Sequence, residues 1–286
     1  MYDLLVSGLQ TFNEFLTAGI AITAFSLLLY ALSFNLRDRV ARSFALITVC
    51  VVIVYVGDAM VSVANTPFQD RFWLLVQWPG IIFLPPAYLH FSDAVLATTG
   101  RPSRGRRRVA VRLVYLLSLG FLTALLLGWM VGPLEITPSP HLQRTWIVDV
   151  FTVFYAAIMV IAWINLLRTY QRSATSASRR RMTYLILGSL APALGSFPYL
   201  VFGSAFAADH PLIFWLAADL SNILVSVFLV LMAYAVAFFG VPWPDRVVKR
   251  RLFKWLMRGP ITASTTLMIT TLVRRSGVIL GIDFTA

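Results

Sequence analysis

Long apolar runs alternate along the chain with short polar connections, and each run has the length of a membrane-spanning helix. About twenty residues, at a rise of about 1.5 Å per residue, cross a hydrocarbon layer of about 30 Å. The pattern predicts seven spans, at Phe15–Asn35, Phe44–Ala64, Phe72–Asp93, Val111–Val131, Trp146–Leu167, Met182–Phe202 and Ile213–Phe239. We therefore expect an all-α, polytopic membrane bundle of seven helices.

The chain changes character after the seventh span. Residues 1–243 are predicted to form the transmembrane domain. Residues 244–259 are predicted to form a basic amphipathic helix beside the membrane, because an apolar stripe there alternates with cationic residues. The six cations are expected to dock lipid or a partner; they are Arg246, Lys249, Arg250, Arg251, Lys254 and Arg258. Residues 260–286 predict a re-entrant, interfacial or truncated eighth-span segment, since their apolar run is short and ends at Arg274 and Arg275.

Basic residues fall almost entirely in alternate connections. The connections after spans one, three, five and seven hold three, six, five and six Lys and Arg, which is twenty of the 24 in the chain. The intervening connections hold only Arg71 and Arg144. Under the positive-inside rule, this alternation predicts an N-terminus outside and a C-terminus inside.

Composition fits a membrane protein and excludes several other classes. The chain is 59% hydrophobic and only 13% charged, which is far from the balance of a water-soluble domain. The net charge of +12 comes from the connections, so it indicates contact with an anionic inner leaflet and no nucleic-acid partner. Cys50 is the single cysteine, so no intrachain disulfide forms. The N-terminus lacks a basic region, so the first span is expected to remain uncleaved.

Polar residues inside two spans recur at helical spacing. The second span carries Tyr55, Asp58, Ser62 and Asn65 on one face, and the seventh carries Trp215, Asp219, Asn222 and Ser226. Ionisable groups in hydrocarbon are costly and are kept for a ligand, an ion or a structural partner. Asp58 lies roughly 9 Å from the outer end by helical rise, and Asp219, Gln77 and Trp78 lie at similar depth.

These residues could meet in one outward-facing cavity together with Asp149, which opens the fifth span from the same side. The predicted ligand-binding residues are Asp58, Trp78, Asp149, Asp219 and Asn222. The alternative is that Asp58 and Asp219 only hold neighbouring helices together through hydrogen bonds. Both interpretations remain open from the sequence.

Other candidate chemistry is sparse. Pro79, Pro85 and Pro86 in the third span should kink or unwind it and leave carbonyls that need partners. His90 is a weak candidate ligand for a haem or pigment. A metal site formed by His141, Asp209 and His210 with Asp149 has little support, so no metal site is predicted. No catalytic motif is visible among the residues present, and the sequence requires no cofactor.

Three stretches carry a resemblance to a known family. LPPAYLHFSD ends the third span, RRRMTYLILGSLAPALG begins the sixth, and PDRVVKRRLFKWLMRGP follows the seventh. With the span order, they resemble the seven-helix N-terminal input region of bacterial sensor histidine kinases, and related regions that precede GAF-type modules. The resemblance implies a multi-pass sensor in the bacterial inner membrane. No phospho-acceptor helix or ATP-binding lobe is recognisable, so three alternatives stay open: the effector was lost, it lies beyond Ala286, or the bundle works as a subunit with a cytoplasmic effector on another chain.

Two functions of different classes follow. The first is a sensory input module that couples an outer-side ligand or a membrane state to a cytoplasmic effector. The alternative is a structural or accessory subunit of a larger membrane complex, such as a photosynthetic or energy-converting one, in which neighbouring membrane subunits would be the partners. A small transporter has less support, since no symmetric repeat is detectable.

Overall fold

A computed structural model describes residues 2–34, 38–100, 105–136, 139–195, 209–237, 239, 250, 253–265 and 267. Its helices are α1 Tyr2–Phe34, α2 Arg39–Val61, α3 Pro67–Ala97, α4 Arg106–Leu126, α5 Trp146–Arg172, α6 Ser176–Gly188, α7 Ala191–Leu194 and α8 Pro211–Val236. The strands are β1 Val131–Glu135 and β2 His141–Arg144, and a π-helical turn occupies Met257–Ile261.

The helical membrane fold is confirmed, but the count of seven spans stays a prediction. Among the described residues, six helices are long and apolar enough to cross a membrane, namely α1 to α5 and α8. The predicted sixth span corresponds to α6 and the short α7, and residues 196–202 fall in a part of the chain that the structure does not describe. Pro192 explains the break between α6 and α7, because it has no N–H for the carbonyl of Gly188, four residues earlier, and its ring crowds that carbonyl.

Local side chains set where several helices begin. Asp38 caps α2 by accepting a hydrogen bond from the backbone N–H of Val40. Thr66 caps α3 and Thr175 caps α6 in the same way, each accepting from the N–H three residues later. Such caps satisfy backbone donors that the first turn leaves unpaired.

The fourth helix ends earlier than the sequence predicted. It stops at Leu126 instead of Val131, because Gly128 has a φ of +73° and closes the helix. The N–H of Gly128 donates to the carbonyl of Leu125 at 2.9 Å, and the N–H of Trp129 donates to that of Ala124 at 3.0 Å. This is a Schellman ending. Val131 then begins the antiparallel β1–β2 hairpin, which the sequence analysis did not predict.

Helix α3 is the centre of the bundle and contacts α2, α4, α5 and the hairpin. It is the most buried of the six long helices. The close approach of α2 and α3 depends on Gly80, where a Cβ atom would lie 2.7 Å from the backbone oxygen of Cys50. The fully buried rings of Phe44, Phe91 and Phe151 fill the core around α3.

The three prolines inside α3, Pro79, Pro85 and Pro86, do not unwind it, and the helix is continuous from Pro67 to Ala97. Pro86 has no N–H for the carbonyl of Ile82, four residues earlier, so that carbonyl needs another donor. The buried hydroxyl of Ser118 on α4 supplies one at 3.1 Å. The carbonyl freed by Pro86 therefore helps to hold α4 on α3.

The segment around the π-helical turn runs along α1. The indole N–H of Trp255 donates to the hydroxyl of Ser26 at 2.7 Å, and the Trp255 ring contacts Tyr30 edge to face. Gly259 lies beside Ser26, and Ser264 lies beside Gly19. The segment therefore proceeds from the last part of α1 back toward its middle.

Candidate functional site

A cavity of about 70 Å³ lies where α2, α3 and α8 meet beneath the hairpin. Strand β2 and the residue before it cover one side of the cavity, and Gly195, just after α7, closes another. The lining residues are Val54, Tyr55, Asp58, Leu74, Gln77, Trp78, Ile81, Pro140, His141, Leu142, Arg144, Gly195 and Asn222. The volume accommodates a few water-sized groups, and the walls combine apolar and polar side chains.

A hydrogen bond between α2 and α8 forms one wall. The Tyr55 hydroxyl donates to Asn222 Oδ1 at 3.1 Å, and both side chains are buried. Gly195 lies against this pair, since a Cβ atom there would be 3.1 Å from the Tyr55 oxygen. The polar rows predicted on the second and seventh spans thus face each other at these two residues.

The amide of Gln77 is the unusual group in the cavity. Its side chain is only 9% exposed, and its Nε2 atom has no hydrogen-bond partner among the residues that the structure describes. Gly57 on α2 lies directly against it, because a Cβ atom at Gly57 would approach Gln77 Cγ to 2.5 Å. An unpaired buried donor costs about 1–3 kcal/mol. Gln77 therefore presents a fixed, unsatisfied donor to the cavity.

Asp58 adds an acceptor to the same cavity. Its side chain is half-buried and makes no hydrogen bond or salt bridge to any residue in the described ranges. Trp78 forms part of the apolar wall, and its ring contacts Phe151 of α5 edge to face at 6.1 Å between centroids. The cavity therefore offers one free donor and one free acceptor beside an aromatic surface.

Charged residues surround the opening beneath the hairpin. Arg144 lines the cavity and donates to Asp149 Oδ1 at 2.7 Å. The predicted site residue Asp149 is not itself a lining residue, and it contacts the site through this arginine. His141 Nε2 lies 3.1 Å from Glu135 Oε2 within the hairpin. In the part of the chain that is described, no three His, Cys, Asp or Glu side chains are close enough to hold a metal ion.

Asp219 is not among the residues that line the cavity. Its Oδ1 atom accepts a hydrogen bond from Asn13 Nδ2 of α1 at 3.0 Å, and both residues are buried. In the described part of the chain, Asp219 Oδ2 has no hydrogen-bond partner. The structure thus brings together Asp58, Trp78 and Asn222 of the predicted site and places Asp219 at the contact between α1 and α8. Ligand binding by any of them stays a prediction.

The other predicted residues lie away from the cavity. His90 contacts Tyr115 of α4, with its Nδ1 atom 3.5 Å from the hydroxyl, and a pigment-binding role stays a prediction. Arg250, Lys254 and Arg258 are exposed. The remaining members of the predicted docking set, Arg246, Lys249 and Arg251, lie outside the described residues.

Three residues with clear structural roles were absent from the predicted site. The sequence analysis noted that Gln77 lies at the same depth in the membrane as Asp58, but it did not include Gln77 in the site. The signal was its position directly before Trp78, which was included. Arg144 had a usable signal, because an isolated arginine precedes an aspartate in the first turn of the next helix by five residues. Asn13 had none, since nothing in the spacing along α1 indicates Asp219 as its partner.

Comparison with known families gives one match. The model of the family described as the N-terminal 7TM region of histidine kinase matches residues 16–242, which include α2 to α8 and most of α1. No curated protein matches the chain. The matched range contains the cavity and all of the residues that line it.

Proposed function

Because the chain belongs to the family of N-terminal 7TM regions of histidine kinases, we propose that the cavity beneath the hairpin is the sensing site of a membrane input module. In this proposal the hairpin faces outward, and the end that carries most of the arginines faces the cytoplasm, in agreement with the positive-inside rule. The membrane is the bacterial cytoplasmic membrane. A cytoplasmic effector, on the same or a separate chain, receives the signal.

The observation that carries the proposal is the unsatisfied Gln77 amide in a cavity that also contains the unpaired Asp58. Buried polar groups in proteins are nearly always hydrogen-bonded. A group that only joins helices would have a protein partner, as Asn222 has in Tyr55. Gln77 lacks such a partner, which favours a ligand over a purely structural role.

The free groups define the chemistry of the ligand. Gln77 offers an N–H donor and Asp58 a carboxyl acceptor, so a fitting molecule has both an acceptor and a donor or cationic group. Trp78, Leu74 and Ile81 add apolar contact. Arg144 at the opening is paired with Asp149, but a guanidinium has five N–H donors and can also bind a negatively charged end of the ligand. We propose a small polar, preferably zwitterionic, molecule.

The contacts suggest how occupancy of the cavity reaches the opposite end. Asn222 lines the cavity, and Asp219, one turn earlier on α8, is bonded to Asn13 of α1. Farther along α1, Ser26 is bonded to Trp255. A ligand that binds one packing of α2 against α8 more tightly would shift α1 and the segment beside it.

The family match supports this function over the accessory-subunit alternative. Membership in a histidine kinase input family implies a membrane sensor with a cytoplasmic effector. No contact or cavity in the described residues favours a structural subunit in an energy-converting complex.

Replacing Gln77 with leucine tests the sensing site. Gln77→Leu removes the unsatisfied donor while keeping the side-chain volume, so we expect the ligand-free protein to become more stable by about 1–2 kcal/mol. The measurement is thermal unfolding of the purified chain in neutral detergent. Residues of functional sites commonly lower the stability of a protein in return for its activity.

Gln69→Leu is the matched control, because Gln69 is an exposed glutamine of the same helix and its Oε1 atom accepts from the N–H of Asn65. Gln69→Leu should leave the stability of the protein unchanged or lower it slightly. If Gln77→Leu instead destabilises the protein by more than the control does, the amide is structural and the proposed site loses its main support.

A further inference from the structure

A groove of about 780 Å³ opens at the other end of the bundle, between α1, α2, α3 and α4. It is separate from the cavity beneath the hairpin and shares no lining residue with it. Its lining residues are Leu28, Leu32, Arg39, Arg42, Ser43, Ala45, Leu46, Val49, His90, Asp93, Ala94, Ala97, Arg108, Val111, Arg112 and Tyr115. The volume is typical of a site for an organic ligand.

Four exposed arginines give the rim of the groove a strong positive charge, and they come from two helices: Arg39 and Arg42 on α2, and Arg108 and Arg112 on α4. The single carboxylate that lines the groove, Asp93, is paired with Arg107. None of the four arginines forms a salt bridge with a carboxylate among the residues that the structure describes. Their charge is therefore available to an anion.

Polarity decreases from the rim into the groove. His90 and Tyr115 lie one helical turn farther from the charged end than Asp93 and Arg112, and they contact each other. The remaining wall is aliphatic. Leu32, Leu46 and Val49 line it and are 42%, 44% and 38% exposed, so apolar surface opens sideways where lipid chains surround the protein.

We propose that this groove binds an anionic phospholipid of the cytoplasmic leaflet. Guanidinium groups match the geometry and charge of a phosphate, and basic pockets between spanning helices suit lipid headgroups on that side of a membrane. The exposed aliphatic wall takes an acyl chain, which a free phosphate lacks. The inference rests on the charge and shape of the groove and does not depend on the function of the cavity.

The bound lipid would join three helices of the bundle. It would bridge α2 and α4 through phosphate and contact α1 through its chain at Leu28 and Leu32. Because α1 also carries the segment that contains Trp255, the lipid content of the membrane would bias the position of that segment. The groove would thereby make the sensor responsive to membrane charge.

Competition between two lipids tests the proposal. The full chain is purified in neutral detergent and mixed with equal amounts of phosphatidylglycerol and phosphatidylcholine that carry the same acyl chains. Native mass spectrometry then counts the lipids that remain bound. We expect phosphatidylglycerol to be preferred by about tenfold, and Arg42→Gln/Arg112→Gln to remove most of this preference, since these two residues supply half of the arginine charge that lines the groove.

Two further variants separate the groove from general surface charge. Arg168→Gln/Arg180→Gln removes the same charge from exposed positions that do not line the groove, and it should keep the preference. Leu46→Trp fills the aliphatic wall while keeping every arginine, and it should lower retention of both lipids. Size-exclusion profiles and melting temperatures establish that each variant is folded.

Three results would overturn the proposal. The first is equal retention of the two lipids by the wild-type chain. The second is an equal loss of preference in the groove variant and its charge control, which would mean nonspecific attraction. The third is complete displacement of phosphatidylglycerol by millimolar inorganic phosphate, which would identify a site for free anions.

Discussion

Gly80→Ala is expected to lower the free energy of unfolding by about 2–3 kcal/mol, at the upper end of the usual cost of overpacking. A Cβ atom at this position would lie 2.7 Å from the backbone oxygen of Cys50 and 2.9 Å from Val54 Cγ2. The first of these neighbours is backbone, so it can move only if α2 and α3 separate. These two helices supply most of the cavity wall, so the damage would extend to the sensing site.

Gly120→Ala provides the matched control. Gly120 is an exposed glycine inside α4, and a Cβ atom there meets nothing within 4 Å. Alanine costs less conformational entropy than glycine in a helix, so the control should be stable to within about 0.5–1 kcal/mol of wild type or better. Thermal unfolding in detergent compares the two. Equal stability of the two variants would contradict the close α2–α3 contact.

Asn13→Ala is expected to cost about 1–3 kcal/mol, because it leaves the buried Asp219 without its donor. The carboxyl group already has one oxygen without a partner. A double-mutant cycle of Asn13→Ala, Asp219→Ala and the double variant isolates the free energy of the interaction between the two side chains. The double variant should lose clearly less stability than the sum of the losses in the two single variants. Unfolding measurements in one detergent supply all the values.

Gln10→Ala controls for loss of an amide on α1, because Gln10 is exposed on the same helix. It should leave stability nearly unchanged. Strict additivity of Asn13→Ala and Asp219→Ala would mean that the two residues do not interact. The connection between α8 and α1 would then lack its polar contact, and the proposed path from the cavity to α1 would be interrupted.

Much of the membrane fold was predictable because the bilayer dictates the length of the elements. The apolar runs located α2 to α5 and α8 to within about five residues at each end. The end of α1 was also located, but α1 begins at Tyr2, thirteen residues before the predicted start at Phe15. The errors have local causes. Gly128 closes α4 five residues early, and the carbonyl freed by Pro86 is satisfied by Ser118 without unwinding α3. The consequence of a proline depends on the neighbouring helix, which periodicity along one helix does not identify.

The candidate site was predictable only in part, and for the same reason. Spacing along α2 and α8 indicated that Tyr55 and Asn222 each lie on a polar face, and these two residues meet. It did not indicate that Asp219 turns toward Asn13, nor that a hairpin covers the cavity. Helix neighbours follow from packing across the whole bundle. The unsatisfied state of Gln77 likewise appears only when every surrounding residue is placed.

In the proposed mechanism, the cavity beneath the hairpin is coupled to the segment beside α1 at the opposite end of the bundle. The direct measurement is the distance between spin labels on Arg172→Cys and Arg258→Cys in a Cys50→Ala background, since both arginines are exposed. Gly195→Leu fills the cavity against Tyr55, and Gly120→Leu is the control on open surface. We predict that Gly195→Leu shifts the mean distance by about 1–2 Å and that the control does not. A folded Gly195→Leu variant with the same distance distribution as wild type would contradict the coupling.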